Sequence, residues 1–168
     1  MYSRRQFIRT TATAAIAAPF IVNSSVISGM GHVAPSDKIN LGFIGCGSMG
    51  TANLNECVKR EDIVLTAAAD VWKQRLDAVL SRFKDCKGYT DYRDLLHHSG
   101  LDAVIIATPA QWHTLQAIDA AKAGKHIYLQ KPMSLFLGES LAIRNAVRRH
   151  KVICQIGTQI HAGNHYRR

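Results

Sequence analysis

The 168-residue chain has no acidic residue before Asp37 and no run of about twenty strongly apolar residues, the length a membrane span needs. The most apolar early stretch, TTATAAIAAPFIVNSSVISG, is rich in Ala and Thr and broken by Pro19, so no stable span is expected. Aromatic residues are sparse, at 7%, and do not interleave with basic ones, which argues against a nucleic-acid surface built on stacking. The four cysteines, Cys46, Cys57, Cys86 and Cys154, include no C-x-x-C pair and no metal-like spacing. Each is expected to be a small buried hydrophobe. His161 and His165 have helical metal spacing but lack a third ligand, so no metal site is expected. Internal repeats and low-complexity segments are missing from the globular part as well.

What is present begins with charge. The formal net charge is +9, and Arg4, Arg5 and Arg9 supply three of those positives within the first ten residues. The remainder is spread out, and its densest cluster, Arg144 to Lys151, reads as the solvated face of a helix. Ser3-Arg4-Arg5-Gln6-Phe7-Ile8-Arg9 resembles the twin-arginine motif of bacterial export signals. Residues 1–34 are therefore expected to be a signal peptide, cut near Ala34. The Tat translocon would be the transient partner and the periplasm the destination. Substrates of that route fold in the reducing cytoplasm, so free thiols need no special explanation.

From Lys38 onward apolar runs alternate with amphipathic segments. Ile39–Ile44, Ile63–Ala69, Asp102–Ala107, Lys125–Leu129 and Val152–Ile156 read as buried strands, with Tyr89 in a short further one. Met49–Lys59, Trp72–Phe83, Tyr92–His98, Gln111–Ala123 and Leu135–His150 read as helices, with Asp91 capping the third and Gly124 ending the fourth. The pattern predicts an α/β fold over 35–158, a Rossmann-type doubly wound parallel sheet with helices on both faces.

The first strand runs into Gly45-Cys46-Gly47-Ser48-Met49-Gly50, a complete G-x-G-x-x-G that opens the first helix. The first glycine permits the tight turn, the second lets a pyrophosphate approach the backbone, and the third allows close helix–strand packing. A helix N-terminus then offers free N–H groups to the phosphates. Asp70, at the end of the second strand, stands where a carboxylate accepts from the ribose hydroxyls and repels a 2′-phosphate. With Val71 and Trp72 following and Lys73 the only nearby cation, NAD is expected as cofactor over NADP. Thr108 and Pro109 end the fourth strand, at the crevice where such sheets bind ligands.

In order and spacing, Gly45–Gly50, Asp70, Thr108-Pro109-Ala110-Gln111-Trp112-His113 and Ala123-Gly124-Lys125-His126-Ile127-Tyr128-Leu129-Gln130-Lys131-Pro132 resemble the N-terminal half of the Gfo/Idh/MocA oxidoreductases. The resemblance covers about 38–160. It implies a catalytic role for Lys131 beside the nicotinamide, acting on a substrate hydroxyl. It implies cofactor contacts for Gly45, Cys46, Gly47, Ser48, Met49, Gly50, Asp70, Thr108, Pro109, His113, Gln130, Lys131 and Pro132. Gln130 departs from the family's glutamate; the amide keeps the hydrogen-bonding capacity and loses the charge. Residues 159–168 are expected to begin a truncated C-terminal substrate domain, which in the full-length form would also serve a homo-oligomer. The implied function is NAD-dependent oxidation of a secondary alcohol of a sugar, cyclitol or related polyol. The alternatives are an NAD-dependent glycosidase of the same superfamily and a non-catalytic dinucleotide-binding fragment.

Overall fold

The computed structural model describes residues 33–158. The twin-arginine segment, His161 and His165 lie outside the described residues. Pro35–Asp37 form a single 3-10 turn, and from Lys38 the chain belongs to one α/β unit. No helix among the described residues is long and apolar enough to cross a membrane.

The six strands are β1 (Ile39–Ile44), β2 (Ile63–Ala69), β3 (Lys87–Tyr89), β4 (Ala103–Ile106), β5 (His126–Gln130) and β6 (Cys154–Gly157). Between them run α1 (Ser48–Cys57), α2 (Lys73–Arg82), α3 (Tyr92–Leu96), α4 (Ala110–Lys122) and α5 (Leu137–His150). All strands are parallel, in the order β3-β2-β1-β4-β5-β6. The doubly wound fold read from the sequence is what the chain adopts. Strand order reverses between β1 and β4, which pair from Leu41 against Ala103 to Ile44 against Ile106.

Alternation along the strands builds a core on each face. Phe43, Ala68 and Ile105 point one way and pack with Leu54 of α1 and Leu76 and Val79 of α2. Ile44, Ala67, Ala69, Val104 and Ile106 point the other way, onto Leu95 of α3, Ala117 and Ala120 of α4 and Ile143 of α5. The run of small residues in β2 lets the helices lie close on that sheet.

Most boundaries move by one or two residues from the sequence reading, and three of the shifts have a visible cause. The third helix stops at Leu96 rather than His98, because the next turn is diverted. The His97 ring donates to the Arg93 carbonyl at 2.7 Å, and His98 meets the Tyr89 hydroxyl at 2.9 Å. The last helix starts at Leu137 rather than Leu135. Phe136 is extended at φ −129°, and Glu139 accepts the main-chain N–H groups of Leu135 and Phe136 at 3.1 and 3.2 Å. The last strand is Cys154–Gly157 rather than Val152–Ile156. Lys151 ends the preceding helix at φ +56°, and Val152 and Ile153 are spent returning the chain to the sheet edge.

Candidate functional site

At the C-terminal end of β1 the chain turns at Gly45 with φ +95°, a backbone region that L residues rarely adopt. A Cβ there would lie 2.8 Å from the carbonyl carbon of Ala107 and the nitrogen of Thr108, both main-chain atoms that cannot move aside. The turn is pinned by the Gly45 N–H, which donates to the Ala69 carbonyl at 2.9 Å. One helical turn later Gly50 is buried; a Cβ on it would fall on the Gly45 carbonyl oxygen and stand 2.9 Å from Phe43 Cζ. Gly47 is different. Its φ of −73° suits any residue, and a Cβ would meet only the Arg75 guanidinium, at 3.6 Å. The open space beside Gly47 adjoins the N-terminus of α1, which carries no side-chain cap. That is the arrangement an anion needs at a helix start. Ser48 and Met49 are exposed on the first turn.

Asp70 follows β2 and holds this loop. One carboxylate oxygen accepts the Cys46 N–H at 2.7 Å and the other accepts the Trp72 N–H at 2.8 Å. An ionised carboxylate has about four lone-pair sites, so capacity for further donors remains. Cys46 is buried behind the loop. Burial, then the nearby Asp70 and Cys86, push its thiol up to about 12, against the opposing pull of Arg75. It is a packing residue of the loop, not a nucleophile.

Gly45, Gly47, Asp70, Thr108 and Pro109 line one cleft of about 420 Å³, within the range of small-molecule sites. The cleft lies over the β1–β4 reversal, where doubly wound sheets take ligands. Walls not singled out from sequence as cofactor contacts include Trp72, Arg75, Trp112 and Gln116. The buried amide of Gln116 accepts the Thr108 hydroxyl at 2.6 Å, fixing which way that side chain turns.

One expectation is corrected here. Lys73 is not the only cation near Asp70: Arg75 and Arg93 line the same cleft, while Lys73 pairs with Asp77 at 2.8 Å. Arg75 instead lies over the Trp72 ring, 4.4 Å from its centroid, and faces the cleft. Residues two apart on a helix point to nearly opposite sides, whereas residues three apart share one. The i, i+3 spacing of Trp72 and Arg75 was the signal available in the sequence.

The other candidates lie at the end of β5. Lys131 and Pro132 are exposed, and the bond between them is cis. Gln130 is buried, and its side-chain oxygen accepts the Lys131 N–H at 2.7 Å. His113, 1% exposed on the first turn of α4, does not line the cleft. Its Nε2 lies 2.9 Å from the Thr108 carbonyl oxygen and its Nδ1 2.7 Å from the Pro132 carbonyl oxygen.

The family model for oxidoreductases with an NAD-binding Rossmann fold, GFO_IDH_MocA, matches residues 39–158. Among curated relatives, the chain is 30% identical to an alpha-N-acetylgalactosaminidase of Shewanella oneidensis over 150 residues, covering 83% of this chain and 33% of that protein. Among solved structures it is similar to apo scyllo-inositol dehydrogenase from Lactobacillus casei, with a TM-score of 0.73 at 27% identity, covering 78% of this chain and 39% of that one. It also resembles the WlbA dehydrogenase of Chromobacterium violaceum, solved with NADH and UDP-GlcNAcA, with a TM-score of 0.72 at 25% identity over 75% of this chain and 36% of that one. The chain spans about a third of the length of the curated relatives it matches.

Proposed function

The chain belongs to the Gfo/Idh/MocA family of NAD-binding oxidoreductases, and from that premise we propose that it is the nucleotide-binding part of an enzyme oxidising a secondary alcohol of a sugar, cyclitol or related polyol. The observation that carries this reading is the cleft over the strand-order reversal. Its floor is a glycine loop with open space at Gly47 and its side wall is Asp70. When bound, NAD supplies the hydride acceptor. The N–H groups at the start of α1 receive the pyrophosphate, with the Arg75 guanidinium alongside. Asp70, already accepting two main-chain N–H groups, accepts ribose hydroxyls on its remaining lone pairs. The same negative charge disfavours a 2′-phosphate, so NAD is preferred, while Arg75 softens the discrimination. Thr108 and Pro109 bound the nicotinamide half, and Lys131, exposed just past the end of β5, handles the proton of the substrate hydroxyl.

A second reading rests on the relatives named as family 109 glycosyl hydrolases and as an alpha-N-acetylgalactosaminidase. In that reading transient oxidation of a hydroxyl would acidify a neighbouring C–H and the leaving group would be eliminated; water would then add in its place and the hydride would be returned, so that hydrolysis results without net redox. Lys131 serves either course. We also propose that Arg4 and Arg5 direct export of the folded protein through the Tat translocon, which places the reaction in the periplasm. The decisive assay follows NADH absorbance with a panel of polyols and glycosides supplied to the whole protein. NADH release from a polyol supports the oxidoreductase, whereas cleavage of a glycoside with no net NADH supports the glycosidase.

A further inference from the structure

His113 lies behind the candidate site without lining it. Its ring is 1% exposed, and each nitrogen faces a main-chain carbonyl oxygen, of Thr108 at the end of β4 and of Pro132 just past β5. A carbonyl oxygen can only accept. An imidazole with one ring hydrogen satisfies one such partner and turns a bare nitrogen lone pair on the other. At 2.7 and 2.9 Å both contacts are of hydrogen-bond length. A ring that satisfied both partners at once would have to donate from both nitrogens. Without the ring, two part-buried carbonyl groups would lose this partner.

The two partners bound one half of the crevice. A doubly wound sheet binds a dinucleotide with one mononucleotide over each half. The β1–β3 half holds Asp70 and the glycine loop. The β4–β5 half ends in Thr108, Pro109, Lys131 and Pro132. Thr108 lines the cleft, and Pro132 follows Lys131 directly. We propose that His113 is a positioning residue, a doubly donating clasp that fixes the distance between the Thr108 lip and the Lys131–Pro132 turn. It thereby sets the nicotinamide half of the site without touching the cofactor. This rests on reading the cleft as the dinucleotide site.

The test has two arms on the full 168-residue chain. Nitrogen NMR of protein carrying isotope-labelled histidine should show hydrogen on both His113 ring nitrogens, identified by the loss of that signal in His113→Phe. A ring with one bare nitrogen overturns the clasp whether or not the variant folds. The second arm compares NADH with AMP, which occupies only the adenosine half. His113→Phe keeps the ring and removes both donors. It should weaken NADH binding about tenfold, the order expected when one buried hydrogen bond's worth of alignment is lost, and leave AMP binding unchanged. His113→Gln, which retains one donor arm, should recover part of the loss. Equal losses for NADH and AMP would mean a general structural role and overturn the proposal. If the parent protein bound AMP but not NADH, the dinucleotide reading would itself fall, and the positioning role with it.

Discussion

Replacing Gly50 and Gly47 separately by Ala should divide folding from binding within a single loop. In an ordinary helix interior Gly→Ala adds about 1 kcal/mol of stability. At Gly50 the sign reverses. The new methyl would fall on the Gly45 carbonyl oxygen and stand 2.9 Å from Phe43 Cζ and 3.0 Å from Ala107 Cβ. Those atoms belong to the turn, the central strand and the next strand end, so relief requires α1 to lift off the sheet. Overpacking of this kind costs roughly 3 kcal/mol, or about 10 °C in Tm for a domain of this size. At Gly47 the methyl meets only Arg75 Nη1 at 3.6 Å, and φ is already −73°. Folding should lose no more than about 1 kcal/mol, the difference between Gly and Ala as helix caps. The methyl would nevertheless occupy the approach to the α1 N-terminus, and NADH affinity should fall at least about tenfold, as when a site loses close contact worth some 1.4 kcal/mol. Urea unfolding of both variants, read beside calorimetric NADH titration, checks the pair. A Gly50→Ala protein as stable as its parent, or a Gly47→Ala protein equally unfolded, would refute the reasoning.

Further outcomes are expected. Calorimetry should find NAD bound more tightly than NADP. Asp70→Ala should narrow that gap and also loosen the glycine loop, since two main-chain N–H groups lose their acceptor; tighter NADP binding by the parent would overturn the preference. Arg75→Ala should reduce whatever NADP binding remains by a larger factor than NAD binding. Burial pushes the Cys46 thiol up to about 12 and the Cys86 thiol up to about 11, from 9.0 in the unfolded chain. Their contribution is fully present below pH 9.0 and is lost as pH rises through the folded values, so urea midpoints should decline across that alkaline window and less so in Cys46→Ala. Arg4→Lys with Arg5→Lys should hold the protein in the cytoplasm by cell fractionation, and undiminished periplasmic delivery would exclude the Tat route.

The parts legible in the sequence were those fixed by near neighbours. Ile39–Ile44 and Ile63–Ala69 end where expected because apolar runs meet glycine and aspartate, and the glycine loop with Asp70 declares its geometry in residue types alone. The final strand was misplaced because its start depends on how Lys151 leaves α5, a left-handed turn at a non-glycine residue that no local rule favours. Arg75 escaped notice because its direction depends on α2 packing over the glycine loop. The two partners of His113 come from different strand ends, and only the parallel register of β4 with β5 brings their carbonyl groups to the two sides of one ring.

The reversal of strand order between β1 and β4 has a consequence for how the molecule assembles and endures. Within the sheet, β1–β3 and β4–β6 are each sequential neighbours, and they join along the single pairing of Leu41–Ile44 with Ala103–Ile106. That pairing closes a loop of some sixty residues and so should be among the slower steps of folding. It is also a seam at which the two halves can part. A dinucleotide lying across the crevice would contact both halves at once and act as a staple over this seam. At a concentration one hundred times its Kd it would add about 2.7 kcal/mol to the stability of the closed form. The amide hydrogens bonding β1 to β4 should then be the ones whose exchange slows most when the ligand is added.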